Sequence, residues 1–200
     1  MKTIRINLYC VSKRALERAV AVLQGGGVVV FPTDTAYGLA ADPSIPGAID
    51  RICRIKGRSK QKQLPFVASG QDQVRANFRL NKKILGLIGK FWPGPLTVVL
   101  KGKAGSPFSV WPDAAVRVPA SVWARALPAA LGRPVTSTSA NFSGDPNCYS
   151  AAAVRRSFRG RADRPDLVLD AGNLPERPPS TIVRVVGKDV LVLRSGPVAV

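Results

Sequence analysis

Residues 25 to 39 read GGGVVVFPTDTAYGL. Val28 to Phe31 is continuously apolar, so the strand it predicts is buried and needs other elements packed over it. It is far too short for a membrane span, which takes about 20 apolar residues, and no other stretch reaches that length. The rest of the chain supplies the covering helices. Ser12 can cap a helix with Leu16, Ala19, Val20 and Leu23 on its apolar face, ended by Gly25. A second helix is expected from about Pro46, with Ile49, Ile52, Cys53 and Ile55 inward, ending at Lys56-Gly57-Arg58. Further helices are expected over 71–78, over 81–91 with Asn81 as cap, from Ser121 until Pro128 stops it, and from Ser150. Short strands are expected at 64–68, 96–100, 116–118, 134–138 and 167–169. Residues 181–186 and 190–194 read as a hairpin about Gly187-Lys188. Strands interleaved with helices over 200 residues predict a single domain, 1–200, of the α/β class built on one open mixed sheet with helices packed around it.

Histidine is absent. That removes His-based general acid–base catalysis, Ser-His-Asp triads and nearly all zinc hydrolase designs. Chemistry on this chain must run on lysine, arginine, hydroxyls, carboxylates and backbone. Thirty basic residues stand against 12 acidic ones, a net charge of +18 that favours polyanionic partners such as nucleic acid or nucleotides. Most of the basic residues are scattered, and only RRSFRGRADR, 155 to 164, reads as a patch. Cys10, Cys53 and Cys148 are odd in number and widely spaced, which fits neither a disulfide framework nor a zinc site and points to a reducing compartment. MKTIRINLYC lacks the features of a secretory signal. The expected location is the cytoplasm, with no membrane partner.

Several stretches could carry chemistry. In IKGRS, Lys56 alone reads as a helix C-cap favoured by the macrodipole. Gly57, however, permits a left-handed turn that can bring the Lys56 ammonium and the Arg58 guanidinium to one side, a pair suited to a polyphosphate. PVTSTSANFSGDPN sets Ser137, Ser139 and Asn141 between a strand and a helix, where open α/β sheets place their ligands; an ordinary Ser/Thr-rich loop is the alternative. In PTDTAYGL the plain reading is a strand exit closed by an Asx or ST turn. The functional reading is a pocket floor with hydroxyls from Thr33 and Thr35 and a wall from Tyr37. Arg117 in VRVP, pointing opposite to its valine neighbours, and Arg194 in LRSG end predicted strands. Neither a P-loop nor a G-x-G-x-x-G fingerprint is present, and no carboxylate cluster looks able to hold a metal by itself.

FPTDTAYGL, KGR, FWPGPLTVVL, VRVP, STSANFSG, STIV and LRSG occur in the order and spacing of the YrdC-like family, and the chain resembles that family from about Gly25 to Gly196. Its members are threonylcarbamoyl-AMP synthases, called TsaC in bacteria. The resemblance implies a twisted, largely closed-over α/β sheet with a basic concave face. It also implies an activity: L-threonine, bicarbonate and ATP give L-threonylcarbamoyl-AMP and pyrophosphate, the first step of threonylcarbamoyladenosine formation in tRNA. Mg2+ would come with ATP, and downstream threonylcarbamoyl-transfer enzymes would take the product.

Carried over by motif, Lys56 and Arg58 form the K-x-R pair and the catalytic residues, and Ser139 and Asn141 the S-x-N pair. On that resemblance these would hold ATP, with Ser137 beside them and Arg194 on the phosphates. Thr35, Arg117, Ser180 and Thr181 fall to the threonine side. The chain departs from the pattern at Ser59, Lys62 and Gln63, and it resembles the short type without an extra C-terminal domain. Two rivals remain at this stage. One is a non-catalytic basic RNA-binding module for tRNA or double-stranded RNA. The other is a carbamoyl-adenylate enzyme related to hydrogenase maturation.

Overall fold

The computed structural model describes residues 1–59 and 64–200. The first half of the chain runs β1 (Lys2–Arg5), α1 (Lys13–Gln24), β2 (Val29–Pro32), β3 (Tyr37–Ala40), α2 (Ala48–Lys56), β4 (Pro65–Val67), α3 (Gln71–Asn77), α4 (Lys82–Phe91) and β5 (Leu96–Leu100). The second half runs β6 (Ala114–Arg117), α5 (Val122–Leu131), β7 (Val135–Thr136), β8 (Thr138–Ser139), α6 (Ala151–Ser157), β9 (Leu167–Asp170), β10 (Thr181–Val186) and β11 (Asp189–Arg194).

The α/β class and the mixed pairing are as the sequence predicts, but the strands form two sheets instead of one. The first has the order β1-β9-β2-β3-β8 and the second β11-β10-β5-β6-β4-β7. The predicted strand at 134–138 is where they part. Val135 and Thr136 pair with β4, and Thr138 and Ser139 pair with β3. Ser137 lies between, its N–H donating to the Pro65 carbonyl. A short apolar segment declares that it is a strand but not which neighbour it joins.

The apolar run of β2 is covered on both faces, as its composition demands. Val28 and Val30 point into one core cluster with Ile52, Ile55 and Val154 of α2 and α6. Val29 and Phe31 point into another with Ala19 and Leu23 of α1 and Trp123, Leu127 and Leu131 of α5. The second sheet has one face packed on α3 and α4 through Val98, Val116, Val183, Val74 and Ile88. Its other face turns toward the first sheet.

Local signals place most helix ends. Ser12, Asn81, Ser121 and Ser150 each accept a hydrogen bond from a backbone N–H in the first turn. Two expectations need correction. Pro128 does not stop α5, which runs on to Leu131. One proline forfeits a single i→i−4 bond and strains the turn, at about 3 kcal/mol. Burial of Trp123, Leu127 and Leu131 outweighs this. Likewise α2 starts at Ala48 after a left-handed Gly47, so Pro46 precedes the helix. Two strands went unpredicted. β1 is mostly exposed and, among the described residues, pairs only with β9, and β3 follows directly on the turn after β2.

Candidate functional site

The cavity between the sheets begins at the exit of β2. Thr33 Oγ1 accepts from the N–H groups of Thr35 and Ala36 and donates to the Ala36 carbonyl at 2.6 Å. This is the predicted ST turn, and it also forms a cavity wall. Thr35 Oγ1 lies 3.1 Å from that of Thr33. Tyr37 lines the cavity, but its tip is tied down elsewhere. The hydroxyl donates to Gly172 O and accepts from Ala171 N, both at 2.9 Å. Burial pushes its pKa up to about 12, with Asp170 adding and the Ala171 bond opposing. Tyr37 is therefore a wall and a structural pin.

The K-x-R turn is built as Gly57 suggests. Gly57 has φ +59°, and its N–H and that of Arg58 bond back to Arg54 O and Cys53 O. The Lys56 side chain is only 3% exposed. Its ammonium donates to Ser139 O at 2.6 Å and Asn141 O at 2.9 Å, with Ser139 Oγ and Asn141 Oδ1 each 3.4 Å away. The Lys56 carbonyl in turn accepts from Ser143 N at 2.8 Å. Burial, and secondarily the Arg58 charge, lowers the Lys56 pKa to about 8. The two motifs, more than 80 residues apart, thus form one unit. Arg58 faces the cavity, whereas Lys56 and Asn141 stand just behind its wall.

Across the cavity, Arg117 leaves β6 on the face opposite Val116 and Val118, as predicted. Its Nη2 lies 3.2 Å from Asp34 Oδ1, and both side chains are only 8% exposed. Asp34 also accepts from Ala120 N. Burial lowers the Arg117 pKa, opposed by Asp34. Arg117 Nη1 is buried with no hydrogen-bond partner among the described residues. Arg194 is fixed by Nε and Nη2 donating to Ser180 O at 3.0 and 2.7 Å. Burial lowers its pKa, and the Arg117 charge adds to this, so the two guanidinium groups feel each other.

The cavity has a volume of about 350 Å³. Of the residues singled out from the sequence, Thr33, Thr35, Tyr37, Arg58, Arg117, Ser137, Ser139, Ser180 and Arg194 line it. Thr181 does not: its hydroxyl donates to Val198 O and accepts from Val198 N. Sequence reasoning missed Thr97, Asn147 and Arg177, which also form walls. TVVL reads as a buried strand with nothing to mark its threonine, Asn147 is only the last residue of the PVTSTSANFSGDPN stretch, and exposed Arg177 lies in no motif. Lys62 and Gln63 lie outside the described residues.

Comparison with known proteins places the fold in a family. The family described as Telomere recombination (Sua5/YciO/YrdC) matches residues 21–196. The crystal structure of P. abyssi Sua5 complexed with L-threonine superposes with a TM-score of 0.85 at 29% identity, over 98% of this chain and 57% of that one. This chain therefore spans little more than half the length of that Sua5. E. coli YciO superposes with a TM-score of 0.85 at 26% identity, over 98% of this chain and 97% of that one. T. kodakarensis HypF, at 18% identity, shares the fold over 94% of this chain and 25% of its own, with a TM-score of 0.75.

Proposed function

The chain belongs to the Sua5/YciO/YrdC family, and on that premise we propose that it is an L-threonylcarbamoyl-AMP synthase, a nucleotidyltransferase acting on L-threonine, bicarbonate and ATP. One observation carries this reading. The cavity walls include four arginines, Arg58, Arg117, Arg177 and Arg194, and no carboxylate among the described residues. Such a cavity suits anionic reactants that must be held together.

The chemistry follows from that charge. The threonine amine and bicarbonate give a carbamate and water. A carbamate oxygen attacks the α-phosphorus of ATP, the bond to the bridging oxygen breaks, and pyrophosphate leaves with its electron pair. The attacking oxygen is already anionic, so no histidine base is needed. Positioning and charge neutralisation are what the protein must supply. Arg117, with its unpartnered Nη1, anchors the threonine carboxylate. Arg58 and Arg194 face the phosphates. Lys56 fastens the S-x-N loop that shapes the nucleotide side.

Among the described residues, no group of three or more His, Cys, Asp or Glu could hold a metal ion. In this reading Mg2+ arrives on the nucleotide phosphates. In this reading the product passes to a cytoplasmic enzyme that transfers the threonylcarbamoyl group to tRNA.

A second reading, direct contact with tRNA, is favoured by Arg155, Arg156, Arg159, Arg161 and Arg164, all of which are exposed. Steeply salt-dependent RNA affinity that falls when these are changed to Gln would support it.

The deciding experiment supplies the protein with ATP, Mg2+, bicarbonate and each of several amino acids. Pyrophosphate release that requires both threonine and bicarbonate is expected. Release without either, or none at all, would reject the synthase.

A further inference from the structure

Thr97 lies on β5, which pairs in parallel with β10, and the register sets Thr97 beside Ile182. Strand alternation puts Ser180, two residues before Ile182, on that same face. Both side chains line the cavity, although Thr97 is only 4% and Ser180 7% exposed. Their hydroxyl oxygens are 2.7 Å apart. Arg194 Nη2 donates to Ser180 Oγ at 3.1 Å, besides its bonds to the Ser180 carbonyl. On the other side of β5, Val98 pairs with Val116 of β6. The next step in that antiparallel register faces Thr97 with Arg117. The hydroxyl pair thus stands against the Arg194 guanidinium, with Arg117 the next residue across the register.

The protons of this pair can be counted. Each hydroxyl has one proton to donate. One is engaged in the contact between the two oxygens. The guanidinium is itself a donor and takes up neither. No other hydrogen bond among the described residues reaches either hydroxyl. Whichever way the mutual bond runs, one O–H remains for the cavity. Left unmatched in a nearly buried place, it would cost about 1–3 kcal/mol.

We infer that Thr97 is a ligand-binding residue of this cavity, forming with Ser180 a hydroxyl pair that donates one O–H to an anionic oxygen held beside Arg194. On the synthase reading, that oxygen belongs to the nucleotide phosphates and afterwards to pyrophosphate. The inference rests on that reading only for the identity of the anion.

The proton count makes a specific forecast. Either hydroxyl alone can still serve the ligand, and only removal of both leaves none. Binding of ATP and of pyrophosphate, each alone, is measured by calorimetry for wild type, Thr97→Val, Thr97→Ser, Ser180→Ala and the Thr97→Val/Ser180→Ala double variant. Thr97→Ser should bind within about twofold of wild type, and Thr97→Val about threefold more weakly. The double variant should lose about tenfold more than the product of the two single losses, as expected for a hydrogen bond to a charged group. A purely structural Thr97 gives losses that only multiply, and that result overturns the inference. So does wild-type affinity in the double variant; if that variant fails to fold, a loss of about tenfold or more in Thr97→Val alone, which the remaining Ser180 hydroxyl forbids, overturns it. Failure of the wild type to bind either anion also overturns it. A wild type that binds both anions yet makes no threonine-dependent pyrophosphate removes the synthase and leaves the hydroxyl pair standing.

Discussion

The ammonium of Lys56 donates to the backbone carbonyl of Ser139 across 2.6 Å. With Asn141 O at 2.9 Å as its other close partner, the lysine acts as the fastening of the S-x-N loop. Of the K-x-R pair it is Arg58 that faces the cavity.

Lys56→Ala should therefore do more than remove a charge. It leaves two carbonyls without their donor, at about 1–3 kcal/mol each where they are buried, and frees residues 139–143. The expectation is a fall in stability of about 2–4 kcal/mol together with loss of turnover. Arg58→Ala should lose turnover at nearly wild-type stability. Urea denaturation beside the pyrophosphate assay separates the two. Equal stability losses would remove the fastening role from Lys56.

The same lysine sets a pH dependence. In the folded protein burial holds its pKa at about 8, against 10.5 ordinarily. Between these values the unfolded chain binds more protons, so this contribution to stability rises with pH. Below pH 8 both states are protonated and the cost of burying the charge is constant. Wild type should thus gain on Lys56→Met as pH rises from 8 to 10.5, with a flat difference below 8. Denaturation of both proteins at pH 7, 8.5 and 10 gives the comparison, and a gap that narrows with pH refutes the shift.

Gly57→Ala tests the turn. The position has φ +59°, and an added Cβ would lie 2.2 Å from the Phe142 ring. Both the backbone and the S-x-N loop would have to move. A loss of more than about 1 kcal/mol is expected from the backbone term alone, with a raised KM for ATP. Unchanged thermal stability would show that loop and turn are not packed as described.

Arg117→Lys tests the threonine side. A guanidinium can hold Asp34 with one nitrogen and offer another to a carboxylate, while an ammonium cannot reproduce that fork. The KM for threonine should rise at least about tenfold, with that for ATP much less affected. Asp34→Asn should be the more destabilising change, by about 3–5 kcal/mol, because it leaves a nearly buried guanidinium without its counter-ion. A matched rise in both KM values would place Arg117 away from the amino acid.

Much of the fold was legible because its signals are local. Ser12 to Gly25 encloses a helix whose caps and apolar spacing sit within 14 residues. The hairpin of β10 and β11 turns at Gly187, with φ +59°. The alternation that sends Arg117 away from Val116 and Val118 is a property of three residues. Where reading failed, the deciding contact was distant. Pro128 is tolerated because α5 packs on α1 and β2. β3 was hidden because Tyr37 and Gly38 resemble a turn until β2 and Ser139 pair with them.

By itself the sequence determined that this chain is an α/β protein without histidine, rich in cations, with its polar motifs at strand ends. Those properties reside in composition and in short-range periodicity. The tertiary structure alone decided that there are two sheets and that the cavity lies between them. It also decided that Arg58 faces inward while Lys56 is sealed behind, that Thr181 holds Val198, and that Thr97 meets Ser180. Each of these is a contact between side chain or backbone groups far apart in the chain, or between neighbours turned to different faces. Only the packing of the whole chain sets such distances, because no local pattern encodes which remote partner satisfies a buried donor.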